Sequence, residues 1–179
     1  MAEARLNPYL HPDLDVLFIA LNPPDQSNSN GHWFSGRQSR FFELLVRSGL
    51  ITQRIDRACA DVTVFGTNKI NCNGASFGVV DLVSVVETNS GRVKVKKENV
   101  AKLVSQIRSR SPRFACVIHS KVMRSLNRHG GFDRPLKYGR WSVLEHCNTE
   151  FIVNYFPNGN SIGDETKIRI FRQLRDRLR

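Results

Sequence analysis

Short runs of apolar residues alternate along the chain with stretches of helical period. Val16-Leu17-Phe18-Ile19-Ala20-Leu21 is uninterrupted and stops at Asn22-Pro23-Pro24. A run of that length, bounded by turn residues, reads as a buried strand. A polar loop rich in Asn, Ser and Gly follows, carrying Trp33 and Phe34, and a helix is predicted over about Gln38–Arg47. Residues 51–75 show no period that assigns an element, and a second strand is predicted at Gly78–Val83. Ser90–Lys97 reads as a basic loop or hairpin. Val100, Leu103, Val104 and Ile107 then fall at helical spacing, which predicts a helix over about Glu98–Arg108 that Ser111-Pro112 ends.

Phe114–Ile118 is a third buried strand, and His119-Ser120 opens a helix that runs to about Leu126 before Gly130-Gly131 breaks it. Trp141–Leu144 reads as a short strand and Phe151–Tyr155 as a further buried one. Phe156–Ser161 is a turn cluster. The final helix, Asp164–Leu178, carries Ile168, Phe171, Leu174 and Leu178 on one face. Strands that alternate with helices imply an α/β fold, a three-layer α/β/α sandwich around a central, mainly parallel four-stranded sheet.

The 179 residues show neither internal repeat nor low-complexity linker, so a single domain over residues 1–179 is expected, acting as a monomer. No apolar run approaches the roughly 18–20 residues of a membrane span, and no membrane partner is expected. The first residues lack the pattern of a signal peptide, and Cys59, Cys72, Cys116 and Cys147 form no C-x-x-C pair. The expected location is the reducing cytoplasm, with association to the nucleoid in a bacterium.

Charge changes this picture. Lys and Arg exceed Asp and Glu by 27 to 16. Fourteen of the basic residues lie between Arg92 and Arg140, against Glu98 and Asp133 alone, so the rest of the chain is close to neutral. Such a stretch is either a solvated face or a polyanion site. Clustering favours the second, because grouped cations gain affinity by releasing counterions from phosphates.

Candidate chemistry collects at the predicted strand ends, since open α/β sheets bind ligands beyond the carboxyl ends of their strands. Asn22 follows the first strand. An amide there, with a stiff Pro-Pro backbone and the aromatic Phe34 nearby, suits orienting water and stacking a flat ring, although Asn22-Pro23-Pro24 taken alone also reads as a simple turn. Phe156–Ser161 follows the last strand and reads either as a tight turn or as a loop entering a nucleic-acid groove, with Ser161 near phosphate. His119, Ser120 and Lys121 open a helix at the third strand end, where a phosphate would find N–H donors, although a lone histidine there also reads as structural. Asp25 and Asp81 are the acids placed by sequence to approach Asn22. The sequences G-x-x-x-x-G-K-[ST], G-x-G-x-x-G and H-E-x-x-H are absent.

Five segments in order resemble the uracil-DNA glycosylase superfamily, most closely its mismatch-specific uracil/thymine branch. LFIALNPP is similar to the first motif, a strand followed by G-[IL]-N-P-G. HWFSGRQSRFFELLVRSGL is similar to the aromatic loop and its following helix, FGVVDLV to the second strand, and FACVIHSKVMRSL to the third strand and helix. FPNGNS falls at the second motif, N-P-S-G-L-S or H-P-S-P-L-S.

The resemblance implies a monofunctional DNA glycosylase of base excision repair, acting on DNA with a damaged or mismatched base and needing no metal or other cofactor. By the same resemblance Asn22 positions the attacking water and Phe34 stacks on the extruded base. Pro157 and Ser161 border the pocket and the DNA backbone. Asn160 takes the place of the leucine wedge. For this chain, backbone groups near Leu21 and Asn22 are expected to read the base edge, Phe156 to border the base, and Asn158 to support the leaving group. Ser120, Lys121 and Arg124 are expected on the phosphates. Ala20 and Pro24 replace the two usual glycines around Asn22, Phe156 stands where Asn or His is usual, and Asn158 where Ser is. Those departures leave open another base, such as hypoxanthine, or a binding module that kept the fold without the chemistry.

Overall fold

The computed structural model describes residues 4–132, 134–144 and 147–179. Its centre is a five-stranded sheet of β1 (Val16–Ala20), β2 (Phe77–Asp81), β3 (Phe114–Val117), β4 (Gly139–Leu144) and β5 (Thr149–Val153), in the order β2-β1-β3-β5-β4. The pairs β1–β2, β1–β3 and β3–β5 are parallel, and β4 runs antiparallel along β5. The expected four-stranded sheet thus gains a member. β4 is the outer strand, with exposed and buried positions alternating and a register shift between Arg140 and Ser142, so its sequence lacks the continuous apolar run that marks the inner strands.

Both faces of the inner strands are buried, which explains those runs. Val16, Phe18 and Ala20 of β1 face one core together with Phe114 and Cys116, while Leu17 and Ile19 face the other with Ala115 and Val117. Helices α2 (Phe41–Ser48) and α5 (Asp164–Arg177) cover the first face; α3 (Lys97–Arg110) and α4 (Ser120–His129) cover the second. The three-layer α/β/α arrangement is as expected, and the helices predicted from periodicity all form within a few residues of their expected ends.

Two regions differ from the sequence reading. The polar stretch after Pro24 is not all loop: Asp25–Asn30 forms a short helix, α1, ended by Gly31 at φ 74°. Its buried side chains, Ser27 and Asn28, are polar, so no apolar period announces it. Residues 51–75, unassigned from sequence, hold a π-helical turn at Val62–Thr67 and a 3-10 turn at Cys72–Gly74. These turns are tied by buried Asn71, whose Nδ2 lies within hydrogen-bonding distance of the carbonyls of Val64 and Ala75 and of Asn68 Oδ1. A single amide bridging three segments leaves no trace in hydropathy.

Strand order places the site. The chain leaves β1 toward β2 on one side, while β3 lies on the other, so the connections diverge from the carboxyl ends of β1 and β3. A crevice opens where connections diverge in this way.

Candidate active site

A cavity of about 360 Å³ occupies that crevice. The segment after β1 supplies Leu21, Asn22 and Pro23, the aromatic loop supplies Trp33 and Phe34, β2 supplies Asp81, and the β3 end supplies His119. Phe156 and Asn158 arrive from the loop after β5. Residues far apart in sequence therefore meet around one volume.

Asn22 is held in one orientation. Its Nδ2 donates to the carbonyls of Glu87 at 2.6 Å and Val85 at 3.1 Å, with Pro23 O also at 3.2 Å. Only an amide NH2 can face three carbonyl oxygens, which assigns the two ends of the group by chemistry. Oδ1 is left as an acceptor without a hydrogen-bond partner among the described residues. The loop that holds it folds back over the strand end: Glu87 N donates to Pro23 O at 3.1 Å, and Thr88 Oγ1 donates to Asp25 Oδ2 at 2.5 Å. Asp25 is thereby committed to Thr88 and lies outside the cavity lining.

The aromatic loop divides its two rings. Trp33, expected in a loop that buries little, is 4 % exposed and part of the core. Its Nε1 donates to Asn7 O at 2.9 Å, and its backbone N–H to Asp61 Oδ2 at 3.0 Å, while Asp61 Oδ1 meets His32 Nδ1 at 2.9 Å. Phe34 remains half-buried on the cavity wall, its ring stacked on Phe41 with centroids 3.9 Å apart and planes at 21°. Its φ of 53° lies in the left-handed region, a conformation that a bulky residue keeps only when its surroundings enforce it. The anchors of Trp33 and the Phe41 stack supply that enforcement.

Asp81 ends β2 opposite Ala20 and lines the cavity. Although the residue as a whole is only partly buried, Oδ1 is sealed from solvent and has no hydrogen-bond partner among the described residues. Burial pushes its carboxyl well above the usual range and favours the neutral acid. His119 is the N-cap of α4: Nδ1 accepts from the Lys121 backbone N–H at 3.0 Å. Burial, with Arg124 and Lys121 adding to it, lowers its pKa to about 4.

The loop after β5 carries Phe156 beside His119, with ring centroids 5.4 Å apart. Asn158 lines the cavity, and its side chain makes no hydrogen bond among the described residues. Asn160 does the opposite. Its Nδ2 donates to Phe156 O at 2.7 Å and its Oδ1 accepts from Ile162 N at 3.1 Å, so it closes the turn rather than projecting as a wedge. Ser161 is exposed and outside the cavity lining. Beneath the loop, Lys167 of α5 is 2 % exposed and donates from Nζ to Pro157 O at 2.9 Å. Sequence reasoning missed this tether. The available signal was a lysine at position i of the apolar series Ile170, Phe171 and Leu174.

Among the residues expected to meet phosphate, Lys121 is turned inward: Nζ donates to Ser90 O and Val93 O at 2.7 Å, with Gly91 O at 3.5 Å. The ammonium shapes the basic turn instead of standing free. Arg124 is exposed, while Ser120 is half-buried and hydrogen-bonded to Tyr138. Leu21 is buried at the cavity wall, and its carbonyl accepts from Val83 N at 2.9 Å, which leaves less of its backbone for a ligand than expected.

An open α/β/α sheet with a cavity at its topological switch point, walled by an oriented amide and a supported aromatic ring, places a candidate small-ligand site at its strand ends. The family model of the Uracil DNA glycosylase superfamily matches residues 8–172, which include every strand and the whole cavity apart from Leu6, and the chain belongs to that superfamily. Membership supports a DNA glycosylase activity, with DNA as substrate. No curated protein sequence matches the chain.

Proposed function

We propose that this chain is a monofunctional DNA glycosylase of base excision repair that hydrolyses the N-glycosidic bond of a flipped deaminated or mismatched base, uracil foremost. The observation that carries the reading is Asn22: its NH2 is consumed by backbone carbonyls and its Oδ1 is kept as an acceptor at the cavity wall.

Extruding a nucleotide costs a few kcal/mol of stacking and pairing, which Phe34 offsets by taking one face of the base. Asn22 cannot serve as a general base, since an amide does not titrate usefully. Its oxygen instead orients a water toward the anomeric carbon, a positioning contribution. Asp81 stands at the cavity wall with Oδ1 sealed from solvent, so Oδ2 is the carboxyl oxygen left to meet a base edge, as an O–H donor in the neutral form. The basic stretch around Arg92–Arg140 follows the DNA backbone, with Arg124 free to reach phosphate and Lys121 holding the turn that presents its neighbours. The protein works as a monomer in the cytoplasm, at the nucleoid if bacterial.

The test is base release from oligonucleotides carrying uracil, hypoxanthine, xanthine or mismatched thymine, in single and double strands. Release of uracil above the others is the expected result. Preferential release of hypoxanthine would reassign the base, and binding to all of them with no release would replace the enzyme by a binding module.

A further inference from the structure

Phe156 has no polar atom, and Asn160 is spent on its own turn, so the loop after β5 leaves Asn158 as its only cavity-lining side chain with a hydrogen-bond donor. A second donor stands beside that loop on a different element. His119 follows β3, its ring lies against Phe156 and lines the cavity, and Nδ1 is committed as an acceptor to the Lys121 backbone N–H. A neutral imidazole that accepts at Nδ1 carries its proton on Nε2. That nitrogen is on the far side of the ring from the helix cap and has no hydrogen-bond partner among the described residues.

We propose that His119 is a further catalytic residue, donating from Nε2–H to the base as negative charge develops on it. The inference rests on the glycosylase reading above. When the bond between the anomeric carbon and the base nitrogen breaks, both electrons leave with the base. Water adds its oxygen to the anomeric carbon and releases one proton to solvent, and the departed base anion takes up a proton from solvent. His119 keeps its own proton throughout, and its hydrogen bond strengthens as the base becomes an anion. The environment suits a neutral donor. Arg124 and Lys121 oppose a second proton on the ring, as burial does, so the imidazole enters the reaction with one proton and one direction to give it. Fixed donors aimed at developing charge are worth more in a secluded cavity than in water.

His119→Asn tests this, because asparagine preserves an N-cap acceptor for α4 but does not reach the base. His119→Gln restores a longer neutral donor. Base release is measured in single turnover on duplexes carrying uracil or 5-fluorouracil, whose fluorine makes it the better leaving group. Binding is measured on a duplex with an uncleavable 2′-fluoro uracil nucleotide, and folding by thermal melting. His119→Asn should lower uracil release by about 10²-fold, the loss seen when one such donor is removed. It should lower 5-fluorouracil release much less, leave binding within about twofold by the same reasoning, and be partly rescued in His119→Gln. Equal losses on the two bases, or none, would overturn the assignment while leaving the glycosylase intact. A wild-type protein that releases neither base, nor hypoxanthine, xanthine or mismatched thymine, would overturn both. If His119→Asn melts early, a His119→Gln variant that folds and still distinguishes the two bases as wild type does supports the proposal, and one that does not overturns it.

Discussion

The side-chain nitrogen of Asn22 donates to the Glu87 carbonyl at 2.6 Å, across 65 positions of sequence. That bond, with Val85 O beside it, decides which end of the amide faces the cavity. Asn22→Ala should lower base release by about 10²-fold or more, as lost positioning does, with DNA binding nearly unchanged. Asn22→Asp should be the worse variant for stability, because it sets carboxylate oxygens against three carbonyls. Single-turnover rates and melting temperatures of the two variants check both statements. An Asn22→Ala enzyme of wild-type speed would remove Asn22 from the mechanism.

Asn158 and Asn160 are two residues apart, and only the second spends its side chain on the loop itself. Asn158→Ala should depress base release strongly while the protein melts normally, since its side chain supports nothing in the fold. Asn160→Ala removes the Phe156 and Ile162 contacts, and should loosen the turn with a smaller loss of rate that appears mainly in retention of flipped DNA. Lys167→Met, which cuts the Pro157 tether, should reproduce part of the Asn158→Ala loss without touching the cavity. The ranking is read from rates on duplex substrate, and a silent Asn158→Ala would discard the role given to that loop.

DNA affinity should fall steeply with salt, by a log–log slope of about −0.9 for each phosphate contacted. Arg124→Gln should flatten that slope by about one contact without changing the preference among bases. Lys121→Met should act differently, weakening binding by releasing the turn whose carbonyls at Ser90 and Val93 it holds. Titrations at several salt concentrations separate the two effects. An affinity indifferent to salt would make the basic stretch a solvated face.

Asp81 predicts a pH dependence of stability with a definite sign. Its folded pKa lies well above 3.8, so between that value and the folded pKa the native state holds a proton that the unfolded state has released. In that window stability falls as pH rises, by up to about 1.4 kcal/mol per pH unit. The contribution is fully present below the unfolded pKa and gone above the folded one. Asp81→Asn abolishes it, and should also keep base release steady at alkaline pH where the wild type declines. Urea unfolding of both proteins across the pH range measures the slope, and parallel curves would show that the buried carboxyl carries no such linkage.

How much of this was legible in the sequence follows from the kind of interaction involved. Inner strands of a sheet covered on both sides must be apolar on both faces, so Val16–Leu21 and Phe114–Ile118 announced themselves, and with them the α/β/α class. Strand ends mark the ligand edge of such a sheet, which is why Asn22, His119 and Phe156 were reachable as candidates without coordinates. Of the outer strand β4, the segment Trp141–Leu144 was readable as a short strand, but its antiparallel place beside β5 was not. The turns of residues 51–75 hang on the Asn71 amide, which leaves no run or period to read.

By itself, then, the chain of residues determined the layers and the sheet edge at which the cavity opens, because hydrophobic burial depends on local pattern. Tertiary structure alone decided what each polar group does there. Asn22 became an oriented acceptor through a loop 65 residues away, Lys121 a brace through the turn at Ser90–Val93, and Lys167 a tether through Pro157. Hydrogen bonds are short and directional, so a side chain's partner depends on which distant backbone the fold brings within about 3 Å, and no local pattern encodes that.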